Sequence, residues 1–334
     1  MTKIKTKETL AHTLSQLEKK YGDKIVMRMG DTPKHTTPTI STGSFSLDYA
    51  LGTGGYPLGR IVEIFGPESS GKTTLAMHAI AESQRQGGTA LLVDTEHAFD
   101  RVYANKIGLD TDNLLICQPS YGEQALDIVE QCISSDAINI VVIDSVSALL
   151  PEAELKGDMS NNMIGGQARL MSRALRKLAA IISKKGVACL FINQIRHKIG
   201  VFFGSPEVTS GGNALKFYAS ARIDMRVTQR IKDKENNKIG QHVRLKVVKN
   251  KLAAPFQEAQ FNIYYGQGID KKTEILDLSL SLGLLKSSGS WFYREDTKLG
   301  QGREAALQYL GAHPELLGQL TKEIKEKKTR CLPR

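Results

Sequence analysis

Long apolar runs are absent from this chain of 334 residues; none approaches the roughly 18 residues a membrane-spanning helix needs, which argues against a helical membrane protein. Cysteine is scarce. Cys117, Cys132, Cys189 and Cys331 show no C-x-x-C spacing, which argues against disulfides and against a zinc site. Three of them lie in apolar surroundings and read as buried thiols of a reducing compartment. Met1–Glu8 is polar and lacks the apolar core of a signal peptide, which predicts a cytoplasmic protein. Acidic residues are in deficit: Lys+Arg 45 against Asp+Glu 35 gives a formal charge of +10. That excess invites a polyanionic partner, nucleic acid before membrane, since no basic amphipathic membrane helix is apparent. No internal repeat and no low-complexity segment occurs. What is present, 41% hydrophobic and 24% charged residues, suits a soluble protein with one large α/β domain and smaller appendages.

The chain is organised around Gly66-Pro67-Glu68-Ser69-Ser70-Gly71-Lys72-Thr73, followed by Thr74, which reads as the phosphate loop G-x-x-x-x-G-K-[ST]. Its glycines let backbone N–H groups approach a polyphosphate closely, and Lys72 would reach the β- and γ-phosphates as a point charge. Thr73 is placed to bind Mg²⁺. A β-rich run, Arg60–Phe65, precedes the loop, and a helical stripe of Leu75, Ala76, Ala79 and Ile80 follows it. Strand, glycine loop and helix in that order put phosphates at a helix N-terminus, where the dipole favours anions. The motif in this setting predicts binding of a nucleoside triphosphate.

Elsewhere the pattern is one of alternation. Leu10, Leu14, Leu17 and Tyr21 predict an amphipathic helix near the N-terminus, to be packed on its own body or on a neighbouring subunit. Residues 42–55 read as glycine-rich turns. Strands are predicted at Thr89–Asp94, Leu114–Gln118, Ile138–Asp144 and Val187–Asn193, with helices at Val102–Ile107, Gly122–Ser134 and Gly166–Lys185 between them. After Tyr218 three β-rich runs, 221–230, 242–250 and 257–264, read as antiparallel additions. The tail predicts a helix carrying Leu276, Leu280 and Leu284, a strand at Trp291–Tyr293, and helices at Glu304–Leu310 and Pro314–Lys328. The fold class expected is α/β: a P-loop NTPase core of mostly parallel sheet with helices on both faces. A helical appendage at residues 1–33, the core at 34–269 and a small α+β domain at 270–334 are the expected divisions.

A phosphate loop needs a carboxylate for its metal and a group that activates water. Ile140-Val-Val-Ile-Asp144 ends an apolar strand in a carboxylate that would hold Mg²⁺; an isolated aspartate there would more often cap a turn. Glu96 follows a strand end, where parallel sheets line their ligand crevice, and can orient the attacking water. A solvated acid or a partner for His97 is the plainer alternative. Gln194, at another strand end, could sense the γ-phosphate. Two glycine-bearing segments leave the same edge, Lys156–Gly166 and Ile195–Thr209. The second mixes Arg196, His197 and Lys198 with Ile199, Gly200, Val201, Phe202 and Phe203, the combination of cations and stacking groups used on single-stranded nucleic acid. An ordinary buried loop is its plainer reading.

From about Leu17 to the last helix the chain resembles the bacterial RecA family of homologous-recombination ATPases. The resemblance is carried by Gly66–Thr74, Ile192-Asn-Gln-Ile-Arg196, Gly211–Ser220 and Lys246-Val-Val-Lys-Asn-Lys251, in the family's order. It implies an ATP- and Mg²⁺-dependent helical homopolymer on single-stranded DNA that pairs it with double-stranded DNA and exchanges strands. It implies that Glu96 activates water, Gln194 couples ATP to the DNA loops, and Tyr103 and Tyr265 flank the adenine. Lys249 and Lys251 would act in trans on a neighbour's γ-phosphate, and Phe217 would transmit across that contact. DNA contacts are implied at Met163, Ile164, Arg169 and Arg176, along Ile195–Phe203, and at Glu207, Gly211, Gly212 and Asn213. Help in self-cleavage of a LexA-type repressor of the SOS response is implied too. Two departures stand out: the chain ends basic at Lys322–Arg334, where the family is commonly acidic, and residues 159–164 differ in detail from the commonest pattern. A hexameric DNA motor on the same core, and a nucleotide-switched regulator or kinase without nucleic acid, are the competing readings.

Overall fold

The structure, a computed structural model, describes residues 2–22, 25–26, 37–157, 165–198, 200 and 206–331. Apolar runs that cannot face water on either side become the central strands of a ten-stranded sheet. These strands are β1 (Arg60–Gly66), β2 (Ala90–Asp94), β3 (Leu115–Cys117), β4 (Ile140–Asp144), β5 (Ala188–His197), β6 (Glu207–Thr209), β7 (Ala221–Lys232), β8 (Lys238–Asn250), β9 (Glu258–Tyr264) and β10 (Gly268–Ile269). Their order is β10-β9-β8-β7-β1-β5-β4-β2-β3, with β6 paired to β5. From β7 to β3 every neighbour is parallel; β8, β9, β10 and β6 pair antiparallel.

Strand alternation sends side chains to two faces, each with its own core. One face packs Val62, Ile64, Val142 and Leu190 against Leu75, Ala79 and Ile80 of α1 (Lys72–Arg85). The other packs Val141, Ile143 and Phe191 against α3 (Gly122–Ser134) and α4 (Gly166–Lys185), through Val129, Ile133, Leu175 and Ile182. Helix α2 (Arg101–Lys106) follows β2, and α5 (Ala214–Tyr218) precedes β7. The fold is therefore α/β with a mostly parallel sheet covered on both faces, as the alternation predicts.

Four readings change in detail. The stretch 42–55 contains a helix, Phe45–Ala50, capped by Ser44 and buried through Leu47 and Ala50. Strand β7 is parallel to β1, not an antiparallel addition; antiparallel pairing begins at β8. Strand β5 runs on to His197 because β6 supplies it with a ladder partner. Of the three cysteines whose side chains are described, only Cys189 is buried, its thiol pushed far up by burial; Cys117 and Cys132 are half-buried.

Residues 1–37 form one compact unit and 38–334 a second. In the first, the helix Thr2–Tyr21 leaves Leu14 and Leu17 half-buried and Leu10 and Tyr21 exposed. In the second, β10 leads into helix Lys271–Ser281, a three-stranded antiparallel sheet (Lys286–Ser288, Trp291–Arg294, Thr297–Gln301) and helices Arg303–Ala312 and Pro314–Cys331. Leu276, Leu285, Leu299, Leu310 and Leu320 share a core of their own there. Leu284 lies past the first of these helices and still packs on that core. Glu274 fastens the helix to residues 44–46: its buried carboxyl accepts from Ser44 Oγ at 2.6 Å and from the Ser46 N–H at 3.1 Å.

Behind α1, His78 Nε2 accepts the Ile269 N–H at 3.0 Å, which requires the neutral ring. Burial first, then the charge of Lys271, lowers its pKa from 6.5 to about 4. The unfolded chain therefore takes up a proton that the folded chain refuses between those values. Stability is intact above the ordinary histidine value and falls as pH drops through the window, by about 2 kcal/mol at about pH 5. Urea unfolding of the wild type and of His78→Gln measures this; the variant should lose that part of the pH dependence.

Candidate nucleotide and nucleic-acid site

Loop 66–71 joins β1 to α1, with Gly71 at φ +98° as the residue before the helix. A Cβ on Gly71 would sit 2.6 Å from Ile263 Cδ1, and one on Gly66 2.1 Å from the Met225 carbonyl oxygen. The glycines thus let the loop lie directly on β7 and β9. Within the loop, Ser70 Oγ is buried without a hydrogen-bond partner among the described residues. Lys72 Nζ donates to the carbonyls of Gly66 and Pro67, at 3.1 and 2.7 Å, so its ammonium is held over the loop. Burial lowers its pKa, while Asp144, Glu96 and Glu68 pull it back up.

Across the sheet edge, Thr73 Oγ1 donates to the Asp144 carboxylate. Burial, with the nearby charges of Glu96 and Asp94, lifts Asp144 to about 6 against the Thr73 hydrogen bond and the charge of Lys72. A carboxyl raised by burial, beside a hydroxyl, is a hard-oxygen pair short of positive charge, which fits Mg²⁺. Among the described residues no cluster of three His, Cys, Asp or Glu could cage a metal alone. Mg²⁺ commonly takes one or two protein oxygens and completes its shell from phosphate and water.

Glu96 faces the same cleft. Its Oε1 accepts from Ser145 Oγ and, at 3.0 Å, from Gln194 Nε2. The cleft measures about 520 Å³ and collects Lys72, Thr73, Glu96, Asp144 and Gln194. Tyr103 and Tyr265 line it as well. Tyr103 donates to Thr74 Oγ1 at 3.0 Å, and the Tyr265 hydroxyl accepts from Arg230 Nη1 at 2.7 Å. Asp94, beside Asp144 in the sheet, takes the N–H groups of Ala98 and Phe99 and the Gln118 amide, a structural cap.

Lys249 and Lys251 do not line this cleft. Both donate to the carbonyl of Phe217, and Lys249 also to that of Lys216, closing the C-terminal end of α5. Helix-end carbonyls answer the mutual repulsion that two ammoniums on one strand face create. Phe217 stands 72% exposed beside them.

The described nucleic-acid candidates lie on α4, at residues 211–213 and on or next to strands β5 and β6. Arg169 and Arg176 are exposed on α4 with Arg173 between them, one helical face. Gln167 donates to the Val146 carbonyl at 2.8 Å and accepts the Gly211 N–H at 3.1 Å, drawing Gly211–Asn213 to the start of α4. Ile195, Arg196 and His197 pair with Thr209, Val208 and Glu207 as the stalk of a hairpin, with Arg196, His197 and Lys198 exposed. Glu207, on the returning limb, accepts two hydrogen bonds from Arg226 of β7. Met163, Ile164, Ile199, Val201, Phe202 and Phe203 lie outside the described residues; Gly200 is described, at φ +81°.

Ser145, Gln167 and Arg230 were not singled out in the sequence. Ser145 follows Asp144 directly and could have been found as the next polar group at that strand end. Gln167 and Arg230 carry no local signal.

Two family descriptions match the chain: the RecA N-terminal domain over residues 8–270 and the RecA C-terminal domain over residues 273–329. Protein RecA of Bacteroides thetaiotaomicron is 58% identical over 313 residues, 94% of this chain and 94% of that protein. Protein RecA of Cytophaga hutchinsonii is 55% identical over 320 residues, 96% of this chain and 90% of its own length. Protein RecA of Rickettsia prowazekii is 53% identical over 327 residues, covering 98% and 96%. The chain belongs to the RecA family, the recombinases of DNA recombination and repair.

Proposed function

We propose that the chain hydrolyses ATP as a helical filament on single-stranded DNA and pairs that strand with a homologous duplex. The observation that carries the reading is Glu96, held by Ser145 and Gln194 in the cleft that also contains Lys72, Thr73 and Asp144. Backbone N–H groups of Gly66–Thr74 other than Pro67 cradle the phosphates, and Lys72 leaves the loop carbonyls to meet the β- and γ-phosphates. Thr73 and Asp144 would hold Mg²⁺, which when bound would screen the charge of the phosphate oxygens. Glu96 orients a water and accepts its proton as the new P–O bond forms; the β–γ bridge breaks and ADP departs. Tyr103 and Tyr265 take the adenine between them.

Gln194 belongs to both sites: its amide rests on Glu96 and its backbone begins the hairpin stalk. ATP and DNA would thereby raise each other's affinity by the same factor. The exposed cations Arg169, Arg176, Arg196, His197 and Lys198, with residues 199–203 and 163–164 and Gly211–Asn213, form the DNA surface. Lys249, Lys251 and Phe217 belong to the contact with a neighbouring subunit. The resulting filament would also promote self-cleavage of a LexA-type repressor. A cytoplasmic location goes with DNA as the partner; among the described residues no helix is long and apolar enough to cross a membrane. Full-length similarity to RecA proteins does not favour a hexameric motor.

The DNA arm is tested by single-stranded DNA affinity across a salt series, with and without a slowly hydrolysed ATP analogue. The analogue should tighten binding. Arg196→Ala should weaken it and reduce the log–log salt slope by about 0.7, the contribution of one phosphate contact on single strands. An unchanged slope removes Arg196 from the DNA surface.

A further inference from the structure

The hairpin that begins at Gln194 rests on one buried carboxylate. Glu63 sits in β1 between β5 and β7 and is completely buried. It accepts from Asn193 Nδ2 at 2.9 Å and from Arg222 Nε, whose guanidinium lies over the Phe65 ring at 4.6 Å. Asn193 is completely buried too. Its Nδ2 also donates to the Ser210 carbonyl at 3.1 Å, and its Oδ1 accepts the Gln194 N–H at 2.9 Å. One side chain therefore ties the outgoing limb of the hairpin, at Gln194, to the returning limb, at Ser210. Glu63 fixes that side chain from below. A carboxylate in the middle of an otherwise apolar strand is costly, and removing either partner strands the other, so this arrangement admits little variation in where Asn193 sits.

We propose that Glu63 is a positioning residue for ATP hydrolysis: through Asn193 it sets the separation of the two hairpin limbs and the placement of the Gln194 amide on Glu96. The proposal rests on the roles given above to Glu96 and Gln194. Nucleic acid in the hairpin changes the limb separation, and the Glu63–Asn193 link carries that change to the group that orients water. Cutting the link leaves the phosphate loop, Thr73 and Asp144 intact, so it costs the response to DNA rather than the binding of ATP. An ion pair that merely holds three strands together would instead lower folding stability and every rate in parallel.

The test measures ATP hydrolysis by the full chain, with and without single-stranded DNA, for Glu63→Leu, which offers Asn193 no acceptor, for Asn193→Ser and for the double variant, with Glu96→Gln as control. DNA-stimulated turnover of Glu63→Leu should fall about tenfold, with unstimulated turnover and the KM for ATP nearly unchanged. The double variant should be no worse than the poorer single one, because both changes cut the same link. If Glu63→Leu fails to fold, the pair Glu63→Leu with Arg222→Leu, which leaves no lone charge, enters the same cycle. Full stimulation in folded Glu63→Leu, losses that multiply in the double variant, or a parallel fall of both rates overturns the proposal while the site reading stands. Normal turnover in Glu96→Gln overturns both.

Discussion

Glu96→Gln is expected to bind ATP with near-normal affinity and to lose at least about a hundredfold in turnover, the range a general base contributes. The change keeps the length of the side chain and its acceptor oxygen for Ser145 and Gln194, but removes the group that takes the proton of the attacking water. With hydrolysis blocked and ATP retained, filaments should persist on DNA. Lys72→Ala should fail differently. It removes the ammonium held over the loop, and phosphoryl transfer depends almost wholly on positioning and charge stabilisation, so turnover should fall by orders of magnitude together with affinity for the triphosphate. Equilibrium binding of a fluorescent ATP analogue and steady-state hydrolysis separate the two cases. Near-wild-type turnover in either variant contradicts the site.

Mixed filaments should recover activity that neither component has. Lys249 and Lys251 lie outside the cleft that holds Lys72, and their ammoniums cap α5 beside exposed Phe217. If these lysines act on a neighbour's γ-phosphate, a subunit with Lys249→Ala and Lys251→Ala still offers an intact phosphate loop, and a Lys72→Ala subunit still offers both lysines. Each is inactive alone. Where the first abuts the second, one complete site forms, as when an arginine finger is supplied in trans. DNA-stimulated hydrolysis should therefore appear in mixtures and peak at an intermediate ratio. Co-filaments without hydrolysis at any ratio rule out a shared site.

How much of this was legible in the sequence differs residue by residue. The phosphate loop, its flanking strand and helix, and the acid at the end of β4 are local patterns, and periodicity placed the central strands and α4 correctly. The helix Phe45–Ala50 was hidden because its signal is one cap, Ser44, and two buried residues among glycines. The extension of β5 to His197 depends on a partner strand ten residues further on, which no local alternation reveals. Glu63 is the clearest loss: in a run of apolar residues a single acid reads as a surface position, whereas here it is a buried anchor paired across two strands. The capping of α5 by Lys249 and Lys251 likewise joins segments more than thirty residues apart. Tertiary partners, not propensities, decide such positions.

In the proposed filament one site answers to both ATP and DNA and is completed between subunits. ATP hydrolysis followed against protein concentration, with and without single-stranded DNA, tests it most directly. Turnover per subunit should be low and flat without DNA and should rise steeply with protein concentration once DNA is present, as neighbours fill the strand. Turnover that is independent of DNA, or that is already maximal for isolated subunits, would contradict it.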